Sequence, residues 1–183
     1  MISIVQTGDP VLRKTAKEVP EKEITSPKIT AILGRMREAL DSQEDGVAIA
    51  APQIGESLRI FLVSERVFDV PKDVSKRREQ KKESIKKYGH LVFINPVVTK
   101  ISKDKSLLEE GCLSVRYKYG KIERATKATV AALDEHGKKF TRGGSGLLAQ
   151  IFQHETDHLN GALFIDKALD LKEIPPEEWN KAK

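Results

Sequence analysis

The chain has 183 residues, 39% of them apolar, with a single Cys; that suits one domain with a full hydrophobic core and excludes a disulfide scaffold, so a reducing cytoplasm is the expected compartment. The opening MISIVQTGDPVLRK lacks a basic stretch followed by an apolar one, and no apolar run approaches ~18 residues, so neither a signal peptide nor a membrane span is expected. The 32 Lys and Arg against 27 Asp and Glu give a net charge of +5, a balance that raises nucleic-acid binding as a question.

After a turn at Gly8-Asp9-Pro10, a helix is predicted from Ser26 to about Gln43, with Ser26 as N-cap and Pro27 at the first helical position. Ile29, Ile32, Leu33, Met36 and Leu40 recur at helical spacing and form its core-facing stripe. The segment GVAIAAPQIGE reads as a small-residue loop or strand edge. Strands are predicted at Leu58 to Ser64 and Leu91 to Thr99, the second at a sheet edge or with a bulge because it contains Pro96.

Between these two strands lies the charge excess. Lys72, Lys76, Arg77, Arg78, Lys81, Lys82, Lys86 and Lys87 face only Asp73, Glu79 and Glu83 there, which accounts for the entire +5. The rest of the chain is formally neutral, so no distributed basic surface and no sequence-specific nucleic-acid binding is expected. The insertion at 71–90 reads as a solvated helix or loop, or as a transient contact with ribosomal RNA.

Segments 105–117 and 121–134 read as extended, separated by a turn at Gly120, and Asp134-Glu135-His136-Gly137 reads as a turn between strands. A second helix is predicted from near Ser145 to the C-cap pair Asn160-Gly161. The stretch 170–183 reads as a frayed tail or a short helix packing Trp179. Helix, strands, helix in that order predicts a single α+β domain over 1–183, with mainly antiparallel strands packed around the second helix.

That helix carries His154-Glu155-Thr156-Asp157-His158, an H-E-x-x-H. Residues four apart share a helix face, so both imidazoles reach one metal ion, and the Glu between them can take a proton from water activated there. At about 100° per residue, Leu147, Ile151, His154 and His158 fall within a sector of about 60° on the core-facing side. Two imidazoles and a carboxylate buried on one stripe are costly without a partner, which favours a metal over a satisfied core. The longer H-E-x-x-H-x-x-G-x-x-H pattern fails, because Gly161 is in place but Phe164 stands where the third His belongs. A third ligand remains to be chosen between Cys112, the only thiol, and a downstream Glu173, Glu177 or Glu178; the Glu choice would make the chain a metallopeptidase.

Three segments in order, Gly46-Val47-Ala48-Ile49-Ala50-Ala51-Pro52-Gln53, Glu110-Gly111-Cys112-Leu113-Ser114 and Gln153-His154-Glu155-Thr156-Asp157-His158, resemble the motifs of the peptide deformylase family. With GDPVLRK at the start, the resemblance runs over roughly residues 3–166. It implies removal of the N-formyl group from the initiator methionine of new polypeptides, with an N-formylmethionyl peptide or nascent chain as substrate. It also implies one divalent ion held by Cys112, His154 and His158, natively Fe(II) with Zn, Ni or Co as substitutes, where geometry alone suggests Zn. Glu155 is implied as general base and then acid, and the Gln53 amide and Leu113 N–H as donors to the oxyanion. The implied methionine pocket is Val47, Leu108, Leu147 and Ile151, the substrate backbone passes Gly46, Ala48 and Gly111, and Glu110, Gln153 and Asp157 orient the ligands. Two positions depart from the family pattern: Ala48 replaces the second Gly of the first motif, and Tyr119 stands where many members carry Arg.

Overall fold

In the computed structural model, which describes residues 2–69 and 88–175, Ser26 Oγ accepts the Ile29 N–H and Pro27 opens helix α1, Pro27–Asp41. Nearly all of the basic insertion, and the tail from residue 176 with Trp179, lie outside the described residues. The predicted stripe of α1 is buried as a whole. It covers one face of a five-stranded antiparallel sheet in the order β1 (Ala48–Ala50), β2 (Ile60–Ser64), β3 (His90–Ile101), β6 (Lys127–Leu133), β7 (Lys139–Ser145).

Alternation along β2 shows why that sheet needs a helix on each side. Ile60 and Leu62 pack under α1, while Phe61 and Val63 face the opposite way, against Ile151 and Phe152 of α2, Leu147–Leu159. Phe61 stacks on Phe93 with ring centroids 4.5 Å apart, and Phe152 meets Phe93 edge-on at 5.4 Å. β2 is buried on both faces and therefore reads as a continuous apolar run.

A second antiparallel sheet has the order β4 (Lys105–Cys112), β5 (Val115–Ala125), β8 (Leu169–Glu173). A smaller core of Leu12, Val115, Ile122, Leu163 and Phe164 lies here, with Cys112 packed against it. α2 ends at Asn160, and Gly161 adopts φ 75°, where a Cβ would sit 2.6 Å from the Arg13 carbonyl oxygen. Arg13 in turn forms a two-pronged pair with Asp166, at 2.6 and 2.9 Å, tying the N-terminal segment to the turn after α2.

Two expectations change and one alternative is decided. Of the two readings for Pro96, the bulge holds and the edge does not: the strand is an inner one whose β3–β6 register slips between Ile94 and Val97, and Asn95, at φ 50°, uses its side-chain amide to pair with both backbone groups of Val19 at 2.8 Å. Gly120 is no turn but lies within β5, and the chain reverses at Cys112–Val115; a Cβ on Gly120 would fall 2.8 Å from the Ala168 Cβ, so that glycine admits a neighbouring backbone. Residues 170–173, expected at the start of a frayed tail, belong to β8. Leu169 and Leu171 stay exposed there, so main-chain pairing to β5 and the Lys121–Asp170 and Lys118–Glu173 ion pairs hold a strand that no hydrophobic alternation announces.

Candidate metal centre

β4 delivers Cys112 at its end, beside the reversal into β5, and α2 delivers His154 and His158 one turn apart. The ligand atoms of these three side chains all lie within 4.8 Å of one another. Cys112 Sγ is 3.1 Å from His158 Nε2, and the two imidazole centroids are 5.0 Å apart. Glu173, the one described alternative, is on β8 beside Lys118.

Burial alone would favour a neutral thiol at Cys112, but His158 and His154 outweigh it and hold the group down to about 5, so it is a thiolate at neutral pH. Burial also opposes charge on His154, and the hydrogen bonds to Cys112 and Glu110 overcome it, raising that imidazole. For Glu155 burial is the largest influence and lifts the carboxyl to about 7 against the pull of the two His. Glu155 Oε2 and His158 Nδ1 are buried without a hydrogen-bond partner among the described residues. A thiolate and two imidazoles suit a divalent transition ion with a coordination position left for water, and the buried, unpartnered Glu155 Oε2 fits a carboxylate that serves a group bound there.

Glu110 accepts from Arg124 through both oxygens, at 2.8 and 3.0 Å, and its Oε2 is also 3.0 Å from His154 Nδ1. This fixes which nitrogen of His154 faces Cys112. Arg124 donates a further bond of 2.6 Å to Asp157 and is 6% exposed. Gln150 adds a donor to Glu110 at 3.3 Å. Gln53 accepts the Ala50 N–H through Oε1, which turns its Nε2 to Ser114 Oγ at 3.2 Å and Cys112 Sγ at 3.5 Å.

Of the three residues expected to orient ligands, Glu110 alone touches one. Asp157 acts through Arg124, and Gln153 pairs with the backbone of Ala125 on both sides, at 3.0 Å, bracing α2 against the end of β5. Val47, Ala48, Leu147 and Ile151 pack in one apolar cluster, while Leu108 lies opposite Ile122 on β4 and Leu113 joins the core under α1. Gly46 leads into β1 and Gly111 immediately precedes Cys112. Ala48 is paired in β1 and is not among the non-glycine residues with positive φ, so its methyl group costs no backbone strain.

Sequence reasoning missed Arg124, Ser114 and Phe164. A lone Arg in an otherwise strand-like segment was the available signal for Arg124; Phe164, noted only for not being a ligand, stacks at 6.4 Å on His154.

Comparison with known proteins agrees in sequence and in shape. A family profile described as polypeptide deformylase matches residues 1–173. A peptide deformylase of Halothermothrix orenii is 39% identical over 173 residues, covering 94% of this chain and 97% of its own length. The chloroplastic peptide deformylase 1A of Solanum lycopersicum is 38% identical over 170 residues, and the match spans 91% of this chain but 59% of that longer protein. The crystal structure of peptide deformylase from Thermotoga maritima superposes with a TM-score of 0.74 at 34% identity, covering 92% of this chain and 98% of the other.

Proposed function

The chain belongs to the polypeptide deformylase family, and from that premise we propose that it hydrolyses the N-formyl group from formyl-methionine at the head of new polypeptides, releasing formate. The observation that carries this reading is the convergence of Cys112, His154 and His158 on one point, with Glu155 and the Gln53 amide beside it.

These three side chains would hold the metal, taken from the family to be Fe(II), with Zn, Ni or Co as substitutes, so that α2 is the central metal-bearing helix. Bound there, a divalent ion supplies a Lewis acid that acidifies water near neutral pH. Glu155 accepts the proton as water attacks the formyl carbon, and its buried, unpaired Oε2 is the atom to receive it. Gln53 Nε2 and the Leu113 N–H meet the charge that develops on the formyl oxygen. Glu155 then returns the proton to the methionine nitrogen as the carbon–nitrogen bond breaks, leaving formate and a free amino terminus.

β1 and β4 are each an outer strand of their sheet, with a hydrogen-bonded neighbour on one side among the described residues. A peptide laid extended between them gains main-chain partners, while Val47, Leu108, Leu147 and Ile151 take the methionine side chain and Gly46, Ala48 and Gly111 let its backbone close. Glu110 orients His154, with Arg124 and Asp157 behind it.

Replacing Cys112 by Ala is expected to abolish tight metal binding, read by elemental analysis after dialysis against chelator. Retained affinity would instead support the metallopeptidase reading with a carboxylate ligand. Among the described residues no helix is long and apolar enough to cross a membrane, and a cytoplasmic enzyme acting near the ribosome fits the confinement of the charge excess to residues 71–90. Deleting residues 74–86 is then expected to weaken ribosome co-sedimentation at low salt; unchanged binding would make the basic run plain surface.

A further inference from the structure

We propose that the cleft between the start of β3 and the β6–β7 hairpin is a second binding site, which takes an extended apolar segment of a partner protein that carries one carboxylate. It plays no part in the hydrolysis proposed above, and its lining shares no residue with the metal centre.

The cleft exists because β3 outruns its neighbour. Along a strand, main-chain groups of successive residues point to opposite sides. The Asn95 N–H donates to Arg59 O at 2.8 Å, and Gly89 O accepts the Glu65 N–H at 2.9 Å, both on the β2 side; the groups of His90, Val92 and Ile94 therefore point the other way. Ile94 meets Leu133, the last residue of β6. The next rung would join Val92 to Glu135, but the chain has already turned there, with the Asp134 N–H donating to Lys138 O at 3.0 Å. Among the described residues the N–H and C=O of Val92 have no hydrogen-bond partner, although the residue is only 7% exposed. Nearly buried main-chain groups left open are costly, and an added peptide strand supplies an acceptor and a donor at the required spacing.

The remaining lining sets the chemistry of the occupant. The cleft encloses about 440 Å³, the size of a site for a short segment or a small molecule. Leu91, Phe93 and Phe140 form an apolar wall in which the two rings lie 5.2 Å apart. Glu135 is already paired with Arg37 at 2.6 Å, Asp134 accepts the N–H groups of His136 and Lys138 at 2.9 Å, and His90 is bonded to Asp41 at 2.8 Å. Arg142 differs: its guanidinium lies 5.4 Å from the centroid of the Phe68 ring and has no carboxylate among the described residues. Apolar side chains on the occupant would cover the wall, its main chain would complete Val92, and its carboxylate would pair with Arg142.

The test titrates zinc-loaded, nitrogen-15-labelled full-length protein with acetyl-Val-Phe-Val-Glu-amide, whose acetyl group makes it no formyl substrate. Saturable shifts of the His90 and Val92 amide signals are expected. Binding is expected to weaken about fivefold when Lys replaces the Glu of the peptide, and about fivefold when its internal amides are N-methylated. Arg142 is exposed, so Arg142→Glu should fold and release formate as the parent does, while reversing the preference toward the Lys peptide. Absence of shifts at His90 and Val92, shifts confined to residues around Cys112, or equal binding of the Glu and Lys peptides would each overturn the proposal. Slow hydrogen exchange at the Val92 amide of the free protein would overturn it as well, because the chain itself would then occupy that edge.

Discussion

Replacing Glu155 by Gln is expected to lower turnover of a formyl-Met peptide by about 10²–10⁴-fold while leaving the metal in place. The side chain is 3% exposed, and its Oε2 has no partner among the described residues, so the change breaks no hydrogen bond at that atom. Gln matches it in volume and cannot take a proton, which separates proton transfer from packing. Paired measurements of metal content and kcat check this: unchanged metal with lost kcat is expected. A variant that kept both would remove Glu155 from the chemistry, and one that lost both would make it a structural support of the ligands.

Replacing Arg124 by Ala is expected to be the most destabilising change near the site. The guanidinium bonds both oxygens of Glu110 and one of Asp157, and Arg124 and Glu110 are 6% and 5% exposed. Removing the cation leaves the Glu110 carboxylate buried without its charge partner, and breaking a buried pair from one side costs about 3–5 kcal/mol. Desolvation opposes the charge on Glu110, and its bonds to His154 and Arg124 keep the carboxyl down at about 2, so losing Arg124 removes part of what holds that buried group ionised. Urea unfolding of the metal-free protein measures the stability loss, and chelator competition measures the accompanying loss of metal affinity, expected at about 10–100-fold for a group that orients a ligand. A stability loss under about 1 kcal/mol would place the pair in effect at the surface.

The two candidate metal-ligating histidines were legible because helical periodicity and ligand spacing coincide on one segment: His154 and His158 share a face wherever residues 147–159 are helical. Cys112 entered the candidate ligand set through the motif resemblance, since a lone thiol by itself reads more readily as a small buried group than as a ligand. The two helices and most strands followed from apolar patterning, but the reversal at Cys112–Val115 did not, because Gly120 offered a stronger turn signal than the segment that turns. β8 escaped for the opposite reason, as its pairing is carried by backbone groups and surface charges that leave no periodicity. Arg124 shows the deeper limit. Its partners are 14 and 33 positions away in sequence, and nothing in one chain's composition says which buried carboxylates an arginine will meet.

The central claim, that Cys112, His154 and His158 hold an ion used for deformylation, is tested most directly on protein purified without oxygen, by elemental analysis alongside formate release from a formyl-Met peptide. Close to one divalent transition ion per chain is expected, with formate release that tracks metal content. A fully loaded protein that releases no formate from any formyl-Met peptide would contradict it.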